Sequence, residues 1–149
     1  MIRSGMADWV NPMWLTEHSA HLAAACLRAG RYQDAMDALD VGREHALRTG
    51  EGHAASEIER IAGETLLLMD VKNTAEAERC MRRAVAIAAE QRTKSWELRA
   101  STSLARLLRD TNRRDEARAM LTDIYNWFTE GCDTTDLKGA KALLEELGR

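Results

Sequence analysis

His18 and His21, one helical turn apart with Glu17 beside them, are the first residues whose types and spacing could do chemistry. An i, i+3 pair presents both imidazoles on one side of a helix, where a zinc ion could take two ligands. A structural shell needs four, and neither a third His nor a Cys stands where sequence logic would close it. The reading is of surface or structural histidines. His45 and His53 fall near a helical turn, where His is common at helix ends. Cys26, Cys80 and Cys132 are odd in number, far apart and without a CxxC, so neither a disulfide framework nor a zinc site is indicated. Cys26 and Cys80 sit on apolar stripes, as buried inert thiols do. Cys132 follows Gly131, with no base nearby to make it a nucleophile. The Glu145-Glu146 pair lies on a terminal helix facing water, a poor place for acid–base work. No catalytic constellation emerges, and the expectation is a protein that is not an enzyme and holds neither metal nor cofactor.

Arginines supply the remaining pattern. Arg99, Arg106 and Arg113 are seven apart, and Arg109 joins them three residues after Arg106. On a helical wheel this stripe lies away from Trp96, Leu104 and Leu107. One reading is a solvated face, which Glu97 and Asp110 support; the other is a basic binding surface. The net charge of −3 gives no global electrostatic case for nucleic acid.

The elements that position these residues are helical. Ala, Leu, Arg and Glu dominate, β-branched residues are sparse and there is a single Pro, a composition that loses little rotamer freedom in helices. Three segments share a turn followed by a helix with a small residue and acid in its first turn: Gly30–Ala35, Asn73–Ala77 and Asn112–Ala117. Their anchoring alanines, Ala35, Ala77 and Ala117, are 42 and 40 residues apart. Each opens an apolar stripe at helical spacing. Ala77, Cys80, Met81, Ala84 and Ala88 form one; Ala117, Met120, Leu121, Ile124 and Phe128 repeat it; Ala35, Leu39, Gly42 and Ala46 form a smaller-residue version. The intervening helices carry Leu15, Leu22, Ala25 and Cys26, then Ile58, Ala62, Leu66 and Met69, then Trp96, Ala100, Leu104, Leu107 and Leu108. Leu137, Ala140, Leu144 and Leu147 make a seventh stripe. Helices are expected over about 12–29, 33–48, 53–69, 75–91, 95–110, 114–129 and 135–147. Asn11-Pro12 reads as a cap with Pro at N1, and Asn73 with Glu76 has capping-box spacing. Gly30, Gly50, Gly131, Gly148 and Asn112 fall where helices stop.

From Leu22 onward these features resemble the tetratricopeptide family, whose minimal repeat is about 34 residues; the helices or turns here are extended. Lys94–Gly148 is similar to the C-terminal repeat regions of large bacterial signalling proteins that carry a cyclase, regulatory ATPase or transcription-factor domain upstream. The segment Glu59–Met69 looks like the preceding repeat of those proteins. Neither a GxxxxGK[ST] loop nor a cyclase segment is present, so the resemblance implies the scaffold and its partner-binding role, not those activities. In such repeats the first helix of each pair lines the concave face. The groove would then hold Arg28 in the first repeat, Glu57, Arg60 and Glu64 in the second, and Arg99, Thr102, Arg106 and Arg109 in the third. It would grade from mixed or acidic to basic and suit an acidic peptide. Ala20 and Ala24 occupy the positions at which some relatives clamp a terminal carboxylate, so that clamp is absent.

The expected fold is all-α: an antiparallel α-α superhelix of about three tetratricopeptide-like hairpins (about 12–49, 53–91 and 95–130) with a capping helix at 135–147, after a leader over 1–11. The expected function is a noncatalytic protein-interaction module in bacterial signalling or regulation. The alternative is a homo-oligomerising scaffold without a groove ligand, to which Trp9 and Trp14 near an uncovered first repeat lend weight. With neither a signal-peptide h-region nor a stretch of 18 apolar residues, the chain is expected in the cytoplasm, without nucleic-acid or membrane partners.

Overall fold

Each anchoring alanine is fully buried, and around each the chain folds into a helix whose small-residue face meets its neighbour. The structure, a computed structural model, describes residues 14–130 and 133–149. The Asn11-Pro12 cap, Trp9, Gly131 and Cys132 lie outside them. Among the described residues there are seven α-helices: α1 (Leu15–Arg28), α2 (Tyr32–Thr49), α3 (Ala55–Met69), α4 (Thr74–Glu90), α5 (Lys94–Asp110), α6 (Arg114–Trp127) and α7 (Thr135–Leu147).

Three turns are built alike. At Gly30, Arg92 and Asn112 the backbone enters the left-handed region, with φ of 72°, 57° and 65°. The next residue's N–H reaches back to the carbonyl five residues earlier: Arg31 to Cys26, Thr93 to Ala88 and Arg113 to Leu108. This is the Schellman arrangement, which satisfies carbonyls a helix end leaves open. That same residue then accepts the first bond of the following helix, so helices reverse within about three residues. Gly50 closes α2 with φ 73°, but Gly148 ends α7 in right-handed geometry. Asn73 does not cap α4 through its side chain. Its amide instead donates back to the Leu66 carbonyl at 3.1 Å, serving the end of α3 rather than the start of α4.

Consecutive helices pack as hairpins, and α1 touches α3, α3 touches α5, and α5 touches α7. The even-numbered helices do not reach one another. The stack therefore curves with α1, α3, α5 and α7 on its inner side. Its front core is alanine-rich, with Ala23, Ala35, Ala38 and Ala62 around Leu39, Ile58 and Ile61. The back core is leucine-rich, running from Met81 and Leu98 through Leu104, Leu108 and Leu121 to Leu137, Leu143 and Leu147 of α7. Leu66 packs against both. Ala25 and Met69, placed on apolar stripes by spacing, are exposed; Ala25 lies off the face that buries Ala23 and Cys26 on either side of it, and Met69 is the last residue of α3. The closest approaches are at Gly42, where a Cβ would meet Ile58 Cδ1 at 2.7 Å and Ser19 Cβ at 2.8 Å, and at Gly63. Among the described residues no helix is long and apolar enough to cross a membrane.

Candidate functional site

The inner sides of α3, α5 and α7 form a pocket of about 380 Å³. Helix α3 presents Glu57, Arg60 and Glu64 at steps of three and four, which keeps them on one face. Helix α5 presents Arg99, Thr102, Ser103 and Arg106 by the same rule, and α7 brings Thr135, Asp136 and Gly139 across from it. The first turn of α7 is fixed by Thr134, whose hydroxyl accepts from the Leu137 N–H at 3.3 Å.

The charges interlock. Arg60 holds Glu57 through two bonds of 3.0 Å and Glu64 through one of 2.8 Å. Arg99 reaches Glu57 at 3.1 Å and Asp136 at 3.0 Å, tying α5 to both its neighbours on the inner side. Ser103 donates to Glu64 at 2.7 Å, and Thr102 donates to the Leu98 carbonyl. Burial alone pushes the Glu57 carboxyl up, but the bonds and charges of Arg60 and Arg99 outweigh it and hold the group below the ordinary carboxylate range. Burial likewise disfavours the charge on Arg60 and Arg99, and their carboxylate partners more than restore it.

Arg106 stands apart from this network. It is exposed, lines the same pocket, and has no hydrogen-bond or ion-pair partner among the described residues. One of its terminal nitrogens lies 3.9 Å from where a Cβ on Gly139 would sit.

Four of the sequence-selected residues thus line one pocket: Arg60, Arg99, Thr102 and Arg106. Glu57 and Glu64 are bound to them. Arg109 instead pairs with Asp110 and with Glu146 of α7, and Arg28 lies in the last turn of α1, outside this pocket. Arg113 belongs to a different cluster, which joins α4 to α6 through Glu78, Arg82 and Glu116. The stripe is therefore neither a plain solvated face nor a continuous basic surface, because most of its charge is already answered. Spacing alone missed Ser103, Asp136 and Gly139; the acidic first turn of α7 was the available signal. It also missed the bidentate pair of Arg43 with buried Glu59, at 2.9 Å for both bonds, and the buried His45, bonded to Glu51 at 2.9 Å.

The Thr102 and Ser103 hydroxyls of the pocket are committed to the Leu98 carbonyl and the Glu64 carboxylate, and Glu57, Glu64 and Asp136 are ion-paired. Elsewhere, His18 bonds the Trp14 carbonyl of its own turn. Burial and nearby Glu59 push the Cys80 thiol up, against the pull of Arg43. No cluster of three or more His, Cys, Asp or Glu fit to hold a metal occurs among the described residues. The chain matches no protein-family model, and no curated protein sequence matches it.

Proposed function

We propose that this protein is a noncatalytic helical-repeat module of the tetratricopeptide type, whose inner groove receives an acidic segment of a partner protein. One observation carries the reading: in a pocket where every other charge has a partner within the fold, Arg106 has none among the described residues. A guanidinium held beside Thr102, Ser103 and Gly139 offers paired donors to an incoming carboxylate. The intramolecular network keeps the walls in place, so binding orders little that is not already ordered. Work in the bacterial cytoplasm, within a signalling or regulatory system, is the setting that the sequence resemblance supports.

Affinity capture from host lysate with the wild type and with Arg106→Glu tests this. Attraction becomes like-charge repulsion, so partners captured by the wild type should be lost, and Arg106→Lys should keep part of the capture. Raising salt should weaken wild-type capture, since exposed charges are screened within about 10 Å at 0.1 M. A folded Arg106→Glu protein that retains the same partners at the same strength overturns the reading. A second reading, self-association, is favoured by Leu68, Met69 and Val71, which expose 56%, 42% and 78% of their surface around one turn. Sedimentation across a concentration series separates it, because only self-association makes the mass depend on concentration.

A further inference from the structure

A second concave surface lies on the edge of the stack, where the α4–α5 turn meets the end of α6 and the loop before α3. The cleft is about 820 Å³ and is walled by His53, Trp96, Trp127 and Phe128, with Arg92 and Lys94 at its rim. Trp127 leaves 58% of its surface exposed. The rings are arranged, not scattered. Trp127 and Phe128 meet edge to face at 5.1 Å, and His53 lies against Trp96 at 5.1 Å. Gln91 donates to the Gly52 carbonyl at 2.6 Å, which fastens the loop carrying His53 to the turn carrying Arg92. The cleft is preformed, as sites for small groups are.

Its charge is of one sign. The lining contains no carboxylate, although the molecule as a whole is net negative. Lys94 sits 5.7 Å over the Trp127 ring, and its ammonium already bonds Glu97 at 2.8 Å. Arg92 is the cation without a partner among the described residues. Its backbone is also telling. In the two turns of the same build, the left-handed position holds Gly30 and Asn112, residues that tolerate it. Arginine gives the turn no such advantage, and strained backbone of this kind gathers at functional positions.

We propose that this cleft is a second peptide-binding site, taking a segment in which a bulky aromatic or aliphatic side chain stands next to a carboxylate. The apolar side chain would enter between Trp96 and Trp127, and the carboxylate would meet the Arg92 guanidinium. Charge complementarity selects the acid: an apolar peptide with basic neighbours would face two cations. Cations beside rings also suit a nucleotide base and its phosphate, but a polyanion would have to approach a net negative protein, which disfavours it.

The test uses the full chain, labelled with nitrogen-15, and a blocked probe peptide, acetyl-Gly-Ser-Asp-Phe-Ser-Gly-amide. Saturable shifts of the Trp96 and Trp127 indole N–H signals are expected. Replacing the probe's Asp by Asn should weaken binding about five-fold or more, and replacing its Phe by Ala should abolish it. Trp127→Ala should cost about ten-fold or more with helicity intact. Arg92→Gly is the decisive variant: relief of the left-handed strain should raise Tm while probe affinity falls about five-fold. Because Arg106 lines the inner pocket and is no part of this cleft's wall, Arg106→Glu should leave probe binding unchanged, so failure of one site does not imply failure of the other. No saturable shift at millimolar probe, undiminished affinity in Arg92→Gly, or a thymidine oligonucleotide that displaces the probe and binds the cleft more tightly would each overturn the proposal.

Discussion

Replacing a glycine by alanine inside a helix should have opposite signs at two positions of this protein. Alanine is favoured over glycine in a helix interior by about 1 kcal/mol, and an open site collects that gain. At Gly139 in α7 the nearest atom to a new Cβ is the end of the flexible Arg106 side chain, 3.9 Å away, so Gly139→Ala should stabilise by about 1 kcal/mol. At Gly63 in α3 the new Cβ would lie 2.8 Å from Met81 Cγ and 3.0 Å from the Ala77 carbonyl oxygen. Met81 is fully buried, the contact is near its stem, and the carbonyl is α4 backbone that moves only with its helix. Overpacking of this kind costs about 1–3 kcal/mol. A middle value less the propensity gain leaves Gly63→Ala destabilised by about 1 kcal/mol. For a chain of this length each kcal/mol shifts Tm by about 2–4 °C, so the two variants should lie about 3 °C on either side of the wild type and about 6 °C apart. Thermal melts followed at 222 nm, checked by urea midpoints with unchanged slope, measure it. Shifts of the same sign for both variants would refute the close approach of α3 and α4 at Gly63.

Two further outcomes follow from the same contacts. Ala77→Leu, at a fully buried position in the first turn of α4, should cost about 1–3 kcal/mol, whereas Ala75→Leu, exposed two residues earlier, should cost little; equal Tm values would show the helical phase to be wrong. Glu57 is held below the ordinary carboxylate range in the folded protein, so the unfolded chain takes up its proton at higher pH than the folded one. Its stabilising contribution is complete above the unfolded value and drains away as pH falls through the folded value. Glu57→Gln should flatten that acid limb of a Tm–pH profile, and an unchanged slope would count against the Arg60 and Arg99 pairs.

The helical phase was legible because it is local. A buried alanine three to four residues from the next apolar residue announces its face, and Ala35, Ala77 and Ala117 all proved fully buried. Gly30 and Asn112 announced their turns for the same reason, since their residue types suit the backbone required. Arg92 could not, because its type argues against the conformation it adopts. Asn73 was misread because an asparagine carries both an acceptor and a donor, and sequence does not say whether it caps the helix ahead or the one behind. The arginine face was placed, but not its neutralisation: Glu57 and Asp136 stand 42 and 37 residues from Arg99. The aromatic cleft escaped for the same reason, since His53, Trp96 and Trp127 come from the loop before α3, the start of α5 and the end of α6.

Those long-range pairs decide which arginine the proposed acidic partner could use. An acidic group seated on Arg60 would have to displace Glu57 and Glu64, and one on Arg99 would displace Glu57 and Asp136. Glu57 is buried, and stripping a buried carboxylate of its partner costs about 3–5 kcal/mol, more than a single exposed ion pair returns. Reversing Arg99 or Arg109 would also cut the bonds that hold α7 to α5, so any loss of binding would be confounded with loosening of the stack. At Arg106 nothing is displaced and nothing is cut. An anion gains a guanidinium there while the network that joins α3, α5 and α7 stays whole, and that is why the single charge, rather than the whole stripe, is the one to reverse.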